Sequence, residues 1–272
     1  MDVLPPGCVF EFVPREWPPV HLIIVVPCYN EEHRLDVGEF RRFALVGSRL
    51  EFLFVNDGSR DGTLRVLEQL RAENSQRFSL LDLERNGGKA EAVRLGILHA
   101  AERQPDVVGF WDADLATPLS ELAGFAQVLE RRPEIEMVFG ARVRLLGRSI
   151  SRDPRRHYVG RMGATLISST LGLAVYDTQC GAKLFRVNDG LPELFTRPFL
   201  SRWIFDVEII ARFVQQKGRD HAARAIYELP IKTWRDVQGS KVKSGDFIKA
   251  LRDLWKIRRA YKLKPSEARA TT

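Results

Sequence analysis
The segment His21–Pro27 carries five consecutive aliphatic residues, Leu22-Ile23-Ile24-Val25-Val26, and stops at a proline followed by Cys28-Tyr29-Asn30-Glu31-Glu32. A strand that is apolar at successive positions has no face left for water, so it must lie in a sheet covered on both sides. The pattern recurs at Leu50–Asn56, Phe78–Leu83, Val107–Trp111 and Ile135–Gly140. Amphipathic stretches separate these runs: Asp61–Ala72, Lys89–Arg103 and Leu119–Arg131. In the first of them Leu64, Leu67 and Leu70 recur at helical spacing, with Asp61 or Thr63 near the cap. Strand, loop and helix in repetition predict an α/β fold with a mostly parallel central sheet flanked by helices.

In such a sheet ligands bind beyond the C-terminal ends of the strands. Four of the predicted strands end in polar loops: Pro27–Glu32, Asp57–Ser59, Asn86–Lys89 and Asp112–Asp114. Residues two apart in extended chain point to the same side, so Asp112 and Asp114 converge. Their repulsion is costly unless a cation compensates it, and a hard divalent ion shared with substrate phosphates fits. Two solvated loop acids, or capping acids ahead of Ser120, fit the same letters. Tyr29 could cover a nucleobase while Glu31 reads base or ribose; equally, Asn30 could cap a helix with Glu31 and Glu32 in its first turn. Asp57 could accept a base N–H or belong to a plain Asp-Gly turn. Gly87-Gly88-Lys89 opens a helix whose N-terminus favours anions.

The second half is less regular. Ser201–Gln216 reads as a helix, Ala223–Pro230 as a strand and Phe247–Lys262 as an amphipathic helix with Phe247, Leu251, Leu254, Trp255 and Ile257 apolar. Asp177-Thr178-Gln179-Cys180-Gly181-Ala182-Lys183 is a polar segment suited to lining a cleft, with Cys180 expected to be a small buried residue. Asp206 and Glu208 lie two apart on an otherwise apolar helix, so at least one must face something other than water.

Composition narrows the class. A hydrophobic share of 44% and a charged share of 28% over 272 residues exclude disorder, collagen and coiled coil as the main architecture. The net charge of +7 is unevenly placed. Lys232–Thr272 holds 12 Lys and Arg against 4 Asp and Glu, while the preceding residues sum to −1. Such clustering points to phosphate-bearing partners or an anionic membrane surface. A phosphate or nucleic-acid binding module is a rival, but acids at the strand ends would repel a nucleic-acid backbone. No Walker motif and no GxGxxG follows the first strand, which speaks against a P-loop or a Rossmann dehydrogenase. No apolar run is long enough to span a bilayer. The three cysteines show no CxxC spacing, so a reducing, cytoplasmic compartment is expected.

The ordered motifs VVPCYNEE, FVNDGSRDGT, RNGGKAEAVRLGI, FWDADLATP, DTQCGAKLF, RWIFDVEII and GSKV, from Leu22 to Val242, resemble the family 2 glycosyltransferases of GT-A fold. The motifs DTQCGAKLF and RWIFDVEII are narrower and resemble the polyprenyl-phosphate hexose synthases, the dolichyl-phosphate glucose and mannose synthase group, above all the dolichyl-phosphate β-glucosyltransferases. The resemblance implies inverting transfer of a hexose from a nucleotide diphosphate sugar, UDP-glucose first and GDP-mannose second, to a polyprenyl or dolichyl phosphate. A family 2 transferase with a soluble hydroxyl acceptor is the further alternative, with Asp206 as its base. It implies that Pro27, Tyr29, Glu31, Lys89 and Ala113 line the nucleotide, Asp57 meets the base, and Asp112 and Asp114 hold Mg2+ or Mn2+. Gln179 and Lys183 would lie by the donor sugar or acceptor phosphate, Asp206 and Glu208 on the acceptor side, and Lys241 near the diphosphate. Arg142, Arg156 and Arg161 are candidates for the lipid phosphate. The expected organisation is an N-terminal extension over 1–20, a GT-A catalytic domain over 21–242, and a basic C-terminal helix and tail over 243–272. That helix would dock on the cytoplasmic face of an anionic membrane or else pack on the domain.

Overall fold
The computed structural model describes residues 19–46, 49–143, 145–150, 154–235 and 246–263. The first half follows the alternation read from sequence, with one helix, α1, that the sequence reading did not place: β1 (Leu22–Cys28), α1 (Val37–Val46), β2 (Leu50–Asp57), α2 (Thr63–Glu73), β3 (Phe78–Leu83), α3 (Lys89–Ala101) and β4 (Val107–Trp111). A short 3-10 turn at Leu119–Glu121 then leads into α4 (Leu122–Arg131) and β5 (Met137–Ala141). The second half supplies β6 (Ser149–Ile150), α5 (Pro154–Leu171), β7 (Ala182–Arg186), α6 (Leu191–Thr196) and α7 (Phe205–Lys217). It ends with α8 (Arg219–Ala225), β8 (Ile226–Pro230), β9 (Thr233–Trp234) and α9 (Asp246–Ala260). The helix predicted from Ser201 starts four residues later, because the Ser201 hydroxyl accepts the Trp203 and Ile204 N–H groups in a non-helical turn. The strand predicted from Ala223 starts at Ile226, since α8 runs through Ala225.

Seven strands form one sheet in the order β3-β2-β1-β4-β7-β5-β8. Every neighbouring pair is parallel except those made by β7, which runs antiparallel to both β4 and β5. β6 and β9 pair in a separate two-stranded ribbon. Alternate residues of β1 supply two different apolar layers. Ile23 and Val25 join Ala90, Val93, Ile97, Phe205 and Ile209 on one face of the sheet. Leu22, Ile24 and Val26 join Phe40, Phe43, Leu67, Leu70 and Phe125 on the other. This is the double burial that the unbroken apolar run requires. α9 belongs to the first layer, with Leu254, Ile257, Tyr261 and Leu263 buried there. Its apolar residues therefore divide, Leu254 and Ile257 inward, Leu251 and Trp255 exposed. Among the described residues no helix is long and apolar enough to cross a membrane.

Candidate active site
Parallel pairing puts the C-terminal ends of β1, β2, β3 and β4 on one edge, with Val25 opposite Phe110, so Tyr29 and Asp114 leave the sheet at the same end. The loop after β1 is fastened to the loop after β2. The Asn30 N–H donates to the Ser59 hydroxyl, the Glu31 N–H to the Thr63 hydroxyl, and the Arg60 N–H to the Asn30 side chain. Asn30 has φ +55° and caps no helix; the next one starts at Val37.

Asp57 is 2% exposed, and its two carboxylate oxygens accept the Gly87 and Gly88 N–H groups at 2.7 and 2.9 Å. The Asp-Gly turn is tight, because Gly58 has φ +60° and an added Cβ would stand 2.6 Å from the backbone of Arg85 and Asn86. Burial raises the Asp57 pKa above the usual carboxylate value; the two N–H groups and the nearby Arg202 act in the opposite sense. The glycine pair thus anchors Asp57, and each carboxylate oxygen keeps a further lone pair.

Asp112 and Asp114 are both half-buried around the buried Ala113. The Lys89 ammonium lies 2.5 Å from Asp112 Oδ1. Burial acts to lower the Lys89 pKa, but Asp112, Asp206 and Asp114 outweigh it and hold the group above the ordinary lysine value. Arg34 spans Glu31, 3.4 Å away, and Asp114, 3.7 Å away. Burial, then repulsion from Asp112, raises the Asp114 pKa. Gly181 makes room for the pair: a Cβ there would sit 1.9 Å from Asp112 Oδ2. Two converging, partly exposed carboxylates suit a hard divalent ion that takes its remaining ligands from a diphosphate. Among the described residues no group of three or more His, Cys, Asp or Glu could hold a metal without such help.

Asp206, whose charge also acts on Lys89, is 4% exposed in the first turn of α7. The fully buried Lys183 reaches it at 2.6 Å and also donates to the Cys180 carbonyl at 2.6 Å. Phe110 and Phe139 flank that ammonium, each ring centre 5.1 Å away. The Gln179 amide lies 3.5 Å from Asp206 Oδ2. Glu208 turns away from this edge and accepts from the Leu200 N–H, Arg212 and the Tyr261 hydroxyl, each at 2.7 Å. Cys180 is buried, as expected.

Pro27, Tyr29, Glu31, Asp57, Lys89, Asp112, Ala113, Asp114, Gln179, Lys183 and Asp206 therefore gather at or just beneath one sheet edge. Arg142 is bound to Asp177 through two contacts of 2.7 Å, so its guanidinium is already engaged by a carboxylate. Arg156 and Arg161 fall on α5, where their side chains are not described, and Lys241 lies outside the described residues. Sequence reasoning missed Arg34 and Gly181. The i,i+3 spacing of Glu31 and Arg34 was a usable signal. Nothing local marks Gly181, whose constraint comes from a side chain 69 positions earlier.

Comparison with known proteins places these features in a lineage. The Glycosyl transferase family 2 profile matches residues 23–189. A dolichyl-phosphate beta-glucosyltransferase of Trichomonas vaginalis is 32% identical over 90% of this chain and 75% of its own. The Saccharomyces cerevisiae protein of the same name is 30% identical over 90% of this chain and 76% of its own. The human one is 28% identical over 92% and 79%. Among solved structures, glucosyl-3-phosphoglycerate synthase of Mycobacterium tuberculosis in complex with Mn2+, UDP-glucose and phosphoglyceric acid superimposes with TM-score 0.61. It is 19% identical and covers 91% of this chain and 82% of its own, a likeness of fold. The same enzyme has also been solved with Mg2+ and UDP.

Proposed function
The chain belongs to glycosyl transferase family 2, and from that premise we propose that it moves glucose from UDP-glucose to a polyprenyl phosphate of the dolichyl type, with inversion at the anomeric carbon. The observation that carries this reading is the meeting of Asp112, Asp114 and Lys89 with Asp206 on one sheet edge. The names of relatives 30–32% identical support the substrates.

Pro27, Tyr29, Glu31 and Asp57 bind the nucleoside, Asp57 through the lone pairs left by Gly87 and Gly88. Mg2+ or Mn2+ on Asp112 and Asp114 would supply charge for the departing diphosphate. Lys89, on the same carboxylate, presents its ammonium to that diphosphate, and Lys241 adds a second cation there. The acceptor phosphate oxygen forms the new bond to C1. The bond from C1 to the donor phosphate breaks, and its electron pair leaves with UDP. A phosphate monoester is an anion already, so the step needs positioning and charge neutralisation more than a base. The state of Asp206 supports that choice. Its Oδ1 lies 2.6 Å from the Lys183 ammonium and its Oδ2 3.5 Å from the Gln179 amide, which suits holding those two side chains in place better than acting as a base for a hydroxyl acceptor. Lys183 acts as a positioning residue through Asp206. Arg156 and Arg161 are the candidates to receive the lipid phosphate; Arg142 can join them only by releasing Asp177. Residues 21–242 form the catalytic unit, working at the cytoplasmic face of a membrane.

The test is a matrix of UDP-glucose and GDP-mannose against a short, water-soluble polyprenyl phosphate and soluble hydroxyl acceptors. Glucosyl phosphoryl polyprenol formed from UDP-glucose is expected. Transfer from GDP-mannose alone, or only to a soluble hydroxyl, would overturn the assignment.

A further inference from the structure
Four exposed large apolar side chains, the exposed tryptophans Trp203 and Trp255 among them, sit on two neighbouring pieces of chain, apart from Leu145, Leu146 and Leu166 elsewhere in the C-terminal half. Leu200 and Trp203 are 47% and 42% exposed on the turn before α7, and Leu251 and Trp255 are 37% and 59% exposed on α9. These pieces are joined directly, since the Ser201 hydroxyl contacts Asp253 Oδ2 at 2.9 Å. About two turns further on, α7 is joined to the residue just past the end of α9, where Glu208 accepts the Tyr261 hydroxyl. With Leu254, Ile257 and Tyr261 facing inward, helical geometry directs Arg252, Trp255 and Arg259 outward. Asp253, and with it the Ser201 turn, then lies on one flank of that outward face and Leu251 on the other. Arg252, Lys256, Arg258 and Arg259 on the helix, Lys262 just past its end, and Arg197 and Arg202 on the turn are all exposed. The Arg259 guanidinium lies over the Trp255 ring, 5.4 Å from its centre.

We propose that the 197–204 turn and α9 together form a docking surface for an anionic lipid bilayer, with Trp203 and Trp255 seated among the headgroups on either side of a basic stripe. Indole rings prefer the membrane–water boundary. Exposed lysines and arginines attract anionic lipids, and the attraction weakens with salt. Two tryptophans and two leucines on basic ground match both demands, where a soluble protein partner would need acidic complementarity with the same stripe. The surface also has a place in the reaction. Trp203 lies three residues before Asp206, and a Cβ at Gly88 would stand 3.8 Å from the side chain of the neighbouring Arg202, so the turn borders the candidate site. This inference rests on the lipid-phosphate reading above, extends it to the turn, and differs from an amphipathic helix acting alone, because the inner half of α9 is used up in the core.

Co-sedimentation of the full chain with phosphatidylserine–phosphatidylcholine vesicles at low salt tests it, with pure phosphatidylcholine as control. Wild type should bind the anionic vesicles and be released by salt. Trp203→Ser and Trp255→Ser should each reduce the partition by roughly tenfold, as should Arg252→Gln with Arg259→Gln. All variants should keep the wild-type melting temperature and the rate with the short soluble acceptor. No binding by wild type, equal binding to neutral vesicles, or loss in Trp255→Ser without loss in Trp203→Ser would overturn the proposal. A solution dimer abolished by the same substitutions would assign the surface to a second copy and overturn it too. Glucosylation of the soluble acceptor without vesicle binding defeats the docking surface alone; vesicle binding without any transfer defeats the enzymatic reading alone.

Discussion
Gly181 shows how a residue with no side chain can decide what an active site holds. Gly181→Ala places a methyl group on the Asp112 carboxylate, which is half-exposed and can rotate outward. Stability should therefore change by less than about 1 kcal/mol, at the mild end of overpacking. Metal-dependent UDP binding should fall about a hundredfold, because one of two ligands has left its position; calorimetry with UDP and Mn2+ measures it. Lys89 already sits on the Asp112 carboxylate, so a divalent ion held by Asp112 would compete with it. Lys89→Gln should thus raise the affinity for Mn2+ alone, read by electron paramagnetic resonance, while weakening UDP-glucose binding. Glu121 illustrates pH dependence. Its Oε1 accepts the Lys232 and Thr233 N–H groups, and burial raises its pKa above 4.5. Above 4.5 the unfolded chain carries the ionised group while the folded one still favours the neutral form, so this carboxyl costs stability as pH rises through that window. Glu121→Gln should gain stability relative to wild type between pH 4.5 and neutrality, checked by denaturant melts across that range.

At the level of elements, β7 and α7 are tied by Lys183 and Asp206. Lys183→Met strands a buried carboxylate and should cost about 3–5 kcal/mol, whereas the double variant with Asp206→Asn should recover part of it. Urea melts of the two distinguish a true pair from independent residues. The tie also marks where sequence legibility ends. Strands β1 to β5 and helices α2 to α4 were readable because each is a local pattern, an apolar run and then an amphipathic one; α1 (Val37–Val46) was not read. So were the Asp112–Asp114 pair and the polar loops, since a strand end is a local event. β7 was not read as a strand. Ala182-Lys183-Leu184-Phe185 carries a lysine where a buried strand should be apolar, and only the distant Asp206 and the rings of Phe110 and Phe139 make that lysine tolerable. Arg142 was read as available for phosphate because Asp177, which holds it, is 35 residues away. The α9 stripe was read as one face, yet the neighbours that divide it lie on α5 and α7.

For the molecule as a whole, α9 is part of the core. Removing residues 246–272 strips Leu254, Ile257, Tyr261 and Leu263 from the layer beneath α7. At about 1.5–3 kcal/mol for each buried side chain, the loss is comparable with the total stability of an ordinary domain. The truncated chain should show no cooperative melting transition by circular dichroism. The insertion of antiparallel β7 between β4 and β5 has a consequence in time. β4, five buried residues ending in Phe110-Trp111, leaves the ribosome with one neighbour already made, β1, and its other neighbour about 70 residues from being synthesised. At roughly 5–20 residues per second, that edge stays open for several seconds. β5, which emerges first and is equally apolar, offers it a wrong partner throughout. Translation pauses and chaperones that shield nascent strand edges therefore bear directly on the yield of this protein, and the hazard ends when residue 186 clears the exit tunnel and β7 closes the gap.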